Sequence, residues 1–581
     1  MTWWLIRSTQ LSNEKAAIAT LEGTVDWLRV GKWQANKELA MCVDFQIVHN
    51  DSEFAFQMIY PSVFPDAPPM IYTEDRSRIS YHQYGPDGEL CLEYRPDNWL
   101  PSITGADMIT SCHRLLAAEQ PETDVVVYAQ SAHVASLGRD LRSKPFRFLL
   151  SAADVEALKN LASCEPELLS LRERLTTSTV VASLAFIGCK DAALWTSDLV
   201  LPIAARDVSG FVVHVPGAEN SGDISAEELK AILDGGGLCD LSKSLFDEVS
   251  STHLLMGDGD NWELFWIYGE AEDRKVVAYS TVRIPVDRQR LPEFFSMLVD
   301  KRVGIVGCGS MGSKIAASLC RTGVGKFLLI DEDIFFPGNV VRNELDLNDT
   351  GAHKSFALRD RLRELNPQSD VIALRLSLGG QESANSMASA LSTLGDCDLL
   401  IDATAQSIAF NLIASVSTRR RRPMIWAEVF AGGIGGFVAR ARPDIDPVPL
   451  EARGQIEVWC ADQGVKWARP NGFSPYDGQD ENEQPLIAED AEVAIIASHA
   501  ARFATDILAR SDASIFPQSA YVIGLSSQWL FDQPFDTRPI DLRPGGPWGE
   551  AADLLEPEEM VKLLNEHWIS EEGSDATPVA E

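Results

Sequence analysis

The chain has 581 residues and a formal charge of −35 at pH 7, room for about three or four domains at roughly 150 residues each. That balance argues against broad binding to a nucleic-acid backbone, which needs dense Lys and Arg. Any anionic substrate must instead be held by a local cationic cluster. Ten cysteines are scattered with no C-x-x-C pair, so no zinc or thioredoxin-like site is expected. Only four apolar residues stand in a row before Arg7, too few for a signal peptide, and no window reaches the roughly 18 apolar residues of a membrane span. The expected setting is a reducing cytoplasm, with no membrane partner and no direct nucleic-acid partner.

In the first 120 residues, 15–28 has helical spacing, and 39–48 and 53–59 read as strands. The run Tyr60-Pro61-Ser62-Val63-Phe64-Pro65-Asp66-Ala67-Pro68-Pro69 follows. So many prolines forbid helix and sheet interior, so a rigid extended turn is predicted. Next come Tyr81-His82-Gln83-Tyr84 and Asp87-Gly88-Glu89-Leu90-Cys91-Leu92, then Trp99, then a helix over 104–118. A Cys just after an Asp-Gly turn is accessible.

This set resembles the ubiquitin-conjugating-enzyme fold: the Tyr-Pro, Phe-Pro and Pro-Pro turn, the Gly-x-Leu-Cys-Leu turn, and a Trp eight residues after the Cys. The resemblance covers 1–120 and implies an α+β domain in which Cys91 bears a thioester. One feature departs from it. The family carries His-Pro-Asn ahead of its Cys, and here His82-Gln83-Tyr84 stands one residue out of register without the Asn. Oxyanion stabilisation must then come from elsewhere, from His82 or from backbone N–H groups. The plainer reading makes Cys91 a small packed side chain and His82 a turn residue.

Residues 121–290 read as an α/β linker domain without a recognisable site. Strands are expected over 180–187, 211–215 and 262–268, and a helix over 225–233. Cys164, Cys189 and Cys239 are expected to be structural.

A third domain is read over 291–540. Val303-Gly304-Ile305-Val306 runs into Gly307-Cys308-Gly309-Ser310-Met311-Gly312, a helix-like segment follows over 314–319, and a second apolar run over 327–330 ends in Asp331. This is the strand, glycine loop, helix, strand, acid order of a nucleotide-binding unit. Gly307 permits the tight turn, Gly309 lets backbone approach a phosphate, and Gly312 lets the helix pack close to the strand. The helix N-terminus offers N–H groups to an anion. Dehydrogenases share that pattern, and the residues that follow argue against them. Asn339, Arg342, Asn343 and Lys354 come next, and then a buried strand ending in Asp402. Two cations can neutralise a triphosphate and an acid can hold Mg²⁺.

These elements, over roughly 300–510, resemble the ThiF-type adenylating family, which includes ubiquitin-activating enzymes. The resemblance implies a Rossmann-like doubly wound domain that uses ATP and Mg²⁺. Gly307, Gly309 and Gly312 would cradle phosphate, and Asp331 would bind ribose. Asn339, Arg342 and Lys354 would contact phosphates, and Asp402 would bind magnesium. Family members commonly have Arg-Gln where Arg342-Asn343 stand. They also borrow an Arg from a dimer partner, which implies a homodimer through this domain with Arg288 or Arg290 in that role. A family crossover loop carries a catalytic Cys beyond the magnesium Asp, and Cys460 is the only cysteine there. It is read as that residue, or as a buried thiol beside Trp459. Cys308, Cys320 and Cys397 are expected to be structural. The polar stretch 471–484 shows no apolar periodicity, a helix resumes over 491–509, and the tail 541–581 ends in an acidic segment expected to be disordered.

The domain order resembles bacterial fusion proteins of anti-phage CBASS operons. It implies ATP-dependent activation of a partner's C-terminal carboxylate as an acyl-adenylate, a thioester on Cys460, transfer to Cys91 and conjugation to an amine. The partner so implied is a cGAS-like nucleotidyltransferase or a ubiquitin-like protein. Two other readings stay open: adenylation of a sulfur-carrier protein for sulfur transfer, and a nucleotide-binding scaffold with neither cysteine reactive.

Overall fold

Val43, Phe45 and Ile47 are buried at every second position of one segment, the period that makes a half-faced strand. Around it the computed structural model forms an antiparallel meander of β1 (Leu28–Ala35), β2 (Met41–His49), β3 (Ser52–Tyr60) and β4 (Met70–Thr73), in that spatial order. The structure describes residues 2–80, 82–84, 88–119, 136–197, 199, 205–217, 224–248, 251–270, 273–284, 291–464, 487–510, 513–528, 530–544, 548 and 561–562. They fall into two compact units, Met1–Pro145 and Phe146–Glu581.

In the first unit, α1 (Trp3–Ile6) and α2 (Ser8–Thr24) precede the meander, and α3 (Gly105–Glu119) and α4 (Leu137–Asp140) follow it. The helix expected over 15–28 starts earlier and ends sooner. Ile18 is the one buried apolar residue of α2, and Leu28 already belongs to β1. α3 buries Met108, Ile109, Cys112 and Leu116, one face of a 3.6-residue period. Glu14 of α2 is fully buried, and it accepts hydrogen bonds from the Tyr60 hydroxyl at 2.9 Å and the Gly105 N–H at 2.7 Å. A Cβ at Gly105 would lie 2.2 Å from that hydroxyl oxygen, so the junction of helix and strand admits only glycine. The Trp99 indole N–H donates to the Pro65 carbonyl at 2.7 Å, which ties the residues beyond Cys91 to the proline-rich turn. A short hairpin, β5 (Gln83–Tyr84) and β6 (Glu89–Leu90), carries His82 and Cys91 at its two ends.

The second unit contains two eight-stranded sheets. The first is made of β7 (Phe146–Leu150), β8 (Glu167–Leu175), β9 (Val180–Cys189), β10 (Ala192–Thr196), β11 (Arg206–His214), β12 (Ser251–Asp258), β13 (Asn261–Tyr268) and β14 (Lys275–Arg283). Its order is β10-β9-β7-β14-β13-β12-β11-β8, and β8 pairs again with β9. Seven strands therefore close on themselves, with β10 as a flap on β9. The helix and strand mixture expected here resolves into mostly strand, with α5 (Ala152–Lys159), α6 (Ala226–Gly235) and α7 (Cys239–Lys243). Ser151 and Ser225 each close a capping box at a helix start. Cys164, Cys189 and Cys239 are exposed rather than packed: Cys164 lies in a turn, Cys189 ends β9 and Cys239 opens α7.

The second sheet has the order β17-β16-β15-β18-β19-β20-β21-β22. Its strands are β15 (Arg302–Val306), β16 (Lys326–Ile330), β17 (Asp370–Leu374), β18 (Leu399–Asp402), β19 (Met424–Val429), β20 (Gly435–Ala441), β21 (Ala520–Gly524) and β22 (Thr537–Ile540). β15 to β19 are parallel and near-continuously apolar, as strands buried on both faces must be. Helices α8 (Ser310–Thr322), α9 (Lys354–Leu365), α10 (Ala384–Gly395), α11 (Ser407–Arg420), α12 (Pro449–Asp462) and α13 (Asp490–Ala509) complete a Rossmann-like layer structure. The chain winds outward from β15 to β17, then returns to place β18 on the other side of β15. That reversal opens a crevice at the carboxyl ends of β15 and β18. Among the described residues no helix is long and apolar enough to cross a membrane.

One buried ion pair braces this sheet from behind. Arg440 of β20 is fully buried and donates to Asp506 at 2.7 Å and Ser514 at 2.9 Å, with its guanidinium over the Phe503 ring. Removing one member strands a charge. Arg440→Met is expected to cost about 3–5 kcal/mol, read as a lowered urea midpoint. The paired change Arg440→Met with Asp506→Leu should recover most of it.

Candidate active site

The N-terminal candidate, Cys91, follows β6 and is half-buried. Its N–H donates to the His82 carbonyl at 2.7 Å, so the hairpin fixes both residues. The His82 ring is aimed at Glu119, with Nε2 3.7 Å from Oε1. Arg95 reaches the sulfur: its Nη1 donates to Cys91 Sγ at 3.3 Å. The turn that carries Arg95 is locked: its N–H donates to Asn98 Oδ1 at 2.7 Å, and Asn98 Nδ2 donates to the Glu93 carbonyl at 2.7 Å.

The C-terminal candidate lies at the crevice. Gly307 has φ +89°, and a Cβ there would sit 2.8 Å from the Ala403 carbonyl oxygen. A Cβ on Gly312 would stand 1.8 Å from the Gly307 carbonyl oxygen, whereas one on Gly309 meets nothing within 4 Å. Two glycines are thus required by packing, and the third faces open space, where a phosphate has room. The loop is tied to the next strand: Cys308 N–H donates to Asp331 Oδ2 at 2.6 Å, and Asp333 N–H donates to Oδ1 at 2.8 Å. Burial pushes the Asp331 carboxyl above the usual carboxylate range, and those two N–H groups pull it back. Each oxygen keeps a further acceptor position, which suits two sugar hydroxyls.

Lys354 opens α9 and lies 2.8 Å from Asp333 Oδ2. Asn343 donates to the Cys308 carbonyl at 3.5 Å, and Arg342 reaches the Ala488 carbonyl at 3.4 Å. Asn339 serves its own turn, accepting the Phe336 N–H at 2.9 Å. Asp402 ends β18 directly beside Val306 in the register. It is buried, and both its hydrogen bonds, from the Thr404 N–H at 2.9 Å and hydroxyl at 2.7 Å, fall on Oδ1. Burial raises its pKa, against Thr404 and the nearby Arg453. The glycine loop, Asp331, Lys354, Arg342 and Asp402 are therefore gathered at one edge of one sheet. Among the described residues no group of three or more His, Cys, Asp or Glu is placed to hold a metal. A single buried carboxylate whose hydrogen bonds fall on one oxygen still fits Mg²⁺, which keeps several waters and takes its remaining ligands from phosphates.

Cys460 lies elsewhere than expected. It sits in α12, not on a loop; it is 2% exposed, and burial pushes its thiol up to about 11. Ala452, Ile456 and Cys460 share the buried face of that helix. Arg453, which influences Asp402, stands two turns before Cys460, about 10 Å along the helix axis. Cys308, Cys320 and Cys397 are buried, as structural cysteines are. Arg288 and Arg290, the polar stretch 471–484 and the acidic tail lie outside the described residues. Sequence reasoning missed Arg95, Thr404 and Arg453, and also Lys314, which pairs with Asp490 at 2.7 Å across 176 positions (490 less 314).

Residues 288–465 match the ThiF family, which bears out the adenylating-family resemblance for this segment. An uncharacterized protein of Sinorhizobium fredii, y4qC, is 24% identical over 69% of this chain and 73% of its own length. The ATP-dependent ubiquitin transferase-like protein Cap2 of Pseudomonas aeruginosa is 32% identical over 23% of this chain and 23% of its own length. A solved structure, Escherichia coli MccB with ATP, is matched over 43% of this chain and 66% of that one at 16% identity and a TM-score of 0.32. This chain thus spans about a quarter of the length of Cap2 and nearly three quarters of y4qC.

Proposed function

We propose that the C-terminal domain activates a protein's C-terminal carboxylate with ATP, and that the N-terminal domain passes the resulting acyl group to an amine. The observation that carries this reading is the convergence of a glycine loop, Asp331, Lys354 and Asp402 on the crevice between β15 and β18. A carboxylate is a poor acyl donor because its leaving group would be oxide. Joining it to AMP supplies a good one.

In this reading the loop N–H groups and the α8 N-terminus hold the phosphates, and Asp331 accepts the ribose hydroxyls. Asn339, Arg342 and Lys354 meet the negative charge that develops on the triphosphate, Lys354 by leaving Asp333. Asp402 would hold Mg²⁺, which supplies charge neutralisation between phosphate oxygens when bound. The acyl group then moves to Cys460 as a thioester once α12 uncovers it, next to Cys91 by transthiolation, and finally to an amine. Burial of the Cys460 thiol favours a second reading, in which the adenylate acylates Cys91 directly. Tethering both domains on one chain raises their mutual concentration without any new contact.

The domains proposed are 1–120, 121–290, 291–540 and 541–581, acting in the cytoplasm. Relatives named ubiquitin transferase-like support the conjugation half. The partner proposed is a cGAS-like nucleotidyltransferase in anti-phage defence, or another protein with a ubiquitin-like tail. A homodimer through the C-terminal domain is part of the proposal. It is supported by Phe336, Val341 and Leu347, exposed beside Asn339 and Arg342. Pyrophosphate exchange into ATP tests the activation step. Exchange is expected with a peptide ending in the nucleotidyltransferase C-terminus and a free carboxylate, and none with the same peptide amidated. Equal exchange with both would sink the carboxylate as substrate.

A further inference from the structure

The N-terminal domain lacks the Asn expected to stabilise charge near its cysteine, yet the sulfur has a cation beside it. We infer that Arg95 is a catalytic residue of Cys91, holding negative charge on its sulfur through the guanidinium contact; this rests on the reading that Cys91 carries an acyl thioester. The contact is direct, Nη1 to Sγ at 3.3 Å. Its geometry is built in, because Arg95 is largely buried and its backbone is clamped by Asn98. Asp97 approaches the guanidinium at Nε, with Oδ1 3.7 Å away, a different nitrogen from the one that meets the sulfur. His82, the other candidate, points its ring to Glu119.

The chemistry needs charge on sulfur twice. In transthiolation, Cys91 gives its proton to solvent and the thiolate, held by Arg95, attacks the carbonyl carbon of the incoming thioester. A new C–S bond forms, the old C–S bond breaks, and the electron pair leaves on the donor thiolate. In aminolysis, an amine nitrogen attacks the Cys91 thioester carbon. The C–N bond forms, the C–S bond breaks, its electron pair returns to Cys91 sulfur, and the amine proton passes to solvent. A guanidinium donor is strongest where its acceptor is ionised, so Arg95 favours the attacking sulfur in the first step and the departing sulfur in the second.

The test is alkylation of the full chain by iodoacetamide at neutral pH, followed peptide by peptide by mass spectrometry. Arg95→Gln is expected to slow modification of Cys91 about tenfold, the size of effect a neighbouring cation has on thiolate chemistry, while Arg95→Lys stays within about threefold of the native rate. Exposed Cys164 should react alike in all variants, and buried Cys112 should stay unmodified, which shows that the fold holds. Should Arg95→Gln expose Cys112, Arg95→Met, which keeps the packing of the stem, is read in its place. An unchanged Cys91 rate with Cys112 protected overturns the assignment, and so does opening of both variants, since Arg95 would then be structural. A slowed rate in a protein whose Cys91 never carries an ATP-dependent adduct upholds the contact and sinks the relay instead.

Discussion

Asp402→Ala is expected to reduce ATP–pyrophosphate exchange by at least about a hundredfold, the scale of losing one preorganised group at the developing charge. Three features of the carboxylate support that proposed role. It is buried at the end of β18, its hydrogen bonds occupy one oxygen, and burial holds its pKa above the usual range. The sign of the stability effect follows. An acid whose folded pKa is raised binds its proton more tightly folded than unfolded, so ionising it in the fold costs stability as pH rises through that range. Asp402→Asn should therefore raise the melting temperature of the nucleotide-free protein at neutral pH while abolishing exchange, and the gain should shrink as pH falls below the carboxylate range. Undiminished exchange in Asp402→Ala would remove the metal role. A melting gain independent of pH would remove the account of the burial cost.

Cys91→Ala is expected to eliminate amide product to below detection while leaving pyrophosphate exchange within about twofold of native, since a covalent carrier cannot be replaced by positioning alone. The same variant separates the two routes. With Cys460 as first carrier, a reducible adduct should remain on Cys460 when Cys91 is gone. With direct acylation, no adduct should be found. Persistence of amide product would show that transfer does not pass through the N-terminal domain.

How far these sites could be read in advance depended on how local their signals are. The glycine loop and the two strand-ending acids, Asp331 and Asp402, are punctuation at the ends of apolar runs, so their placement on one sheet edge was legible. So were β2 and β3 of the N-terminal meander, read over 39–48 and 53–59; β1, whose burial does not alternate, and the short β4 were not. Cys460 was misplaced on a loop although its helix was signalled: Pro449 occupies the first turn, where proline is preorganised, and Ala452, Ile456 and Cys460 repeat every four residues. That spacing marks the thiol as facing the core. The pairing of Arg95 with Cys91 was out of reach, because an interval of four residues means contact on a helix and nothing in a turn. The Lys314 and Asp490 pair joins segments far apart in the chain, and only the packing of α13 against α8 brings them together.

Lys354 has consequences beyond its place beside the loop. The side chain has a counter-anion of its own, Asp333 at 2.8 Å. In the proposed reading, ATP entry is then an exchange of one negative partner for another rather than the filling of a bare positive hole. A charge-satisfied vestibule on a chain of −35 gives stray phosphate or polyanions little to settle on. In that reading only a ligand that also offers ribose hydroxyls to Asp331 and phosphate to the loop recovers the lost pair, so discrimination would come from many simultaneous partners rather than from raw attraction.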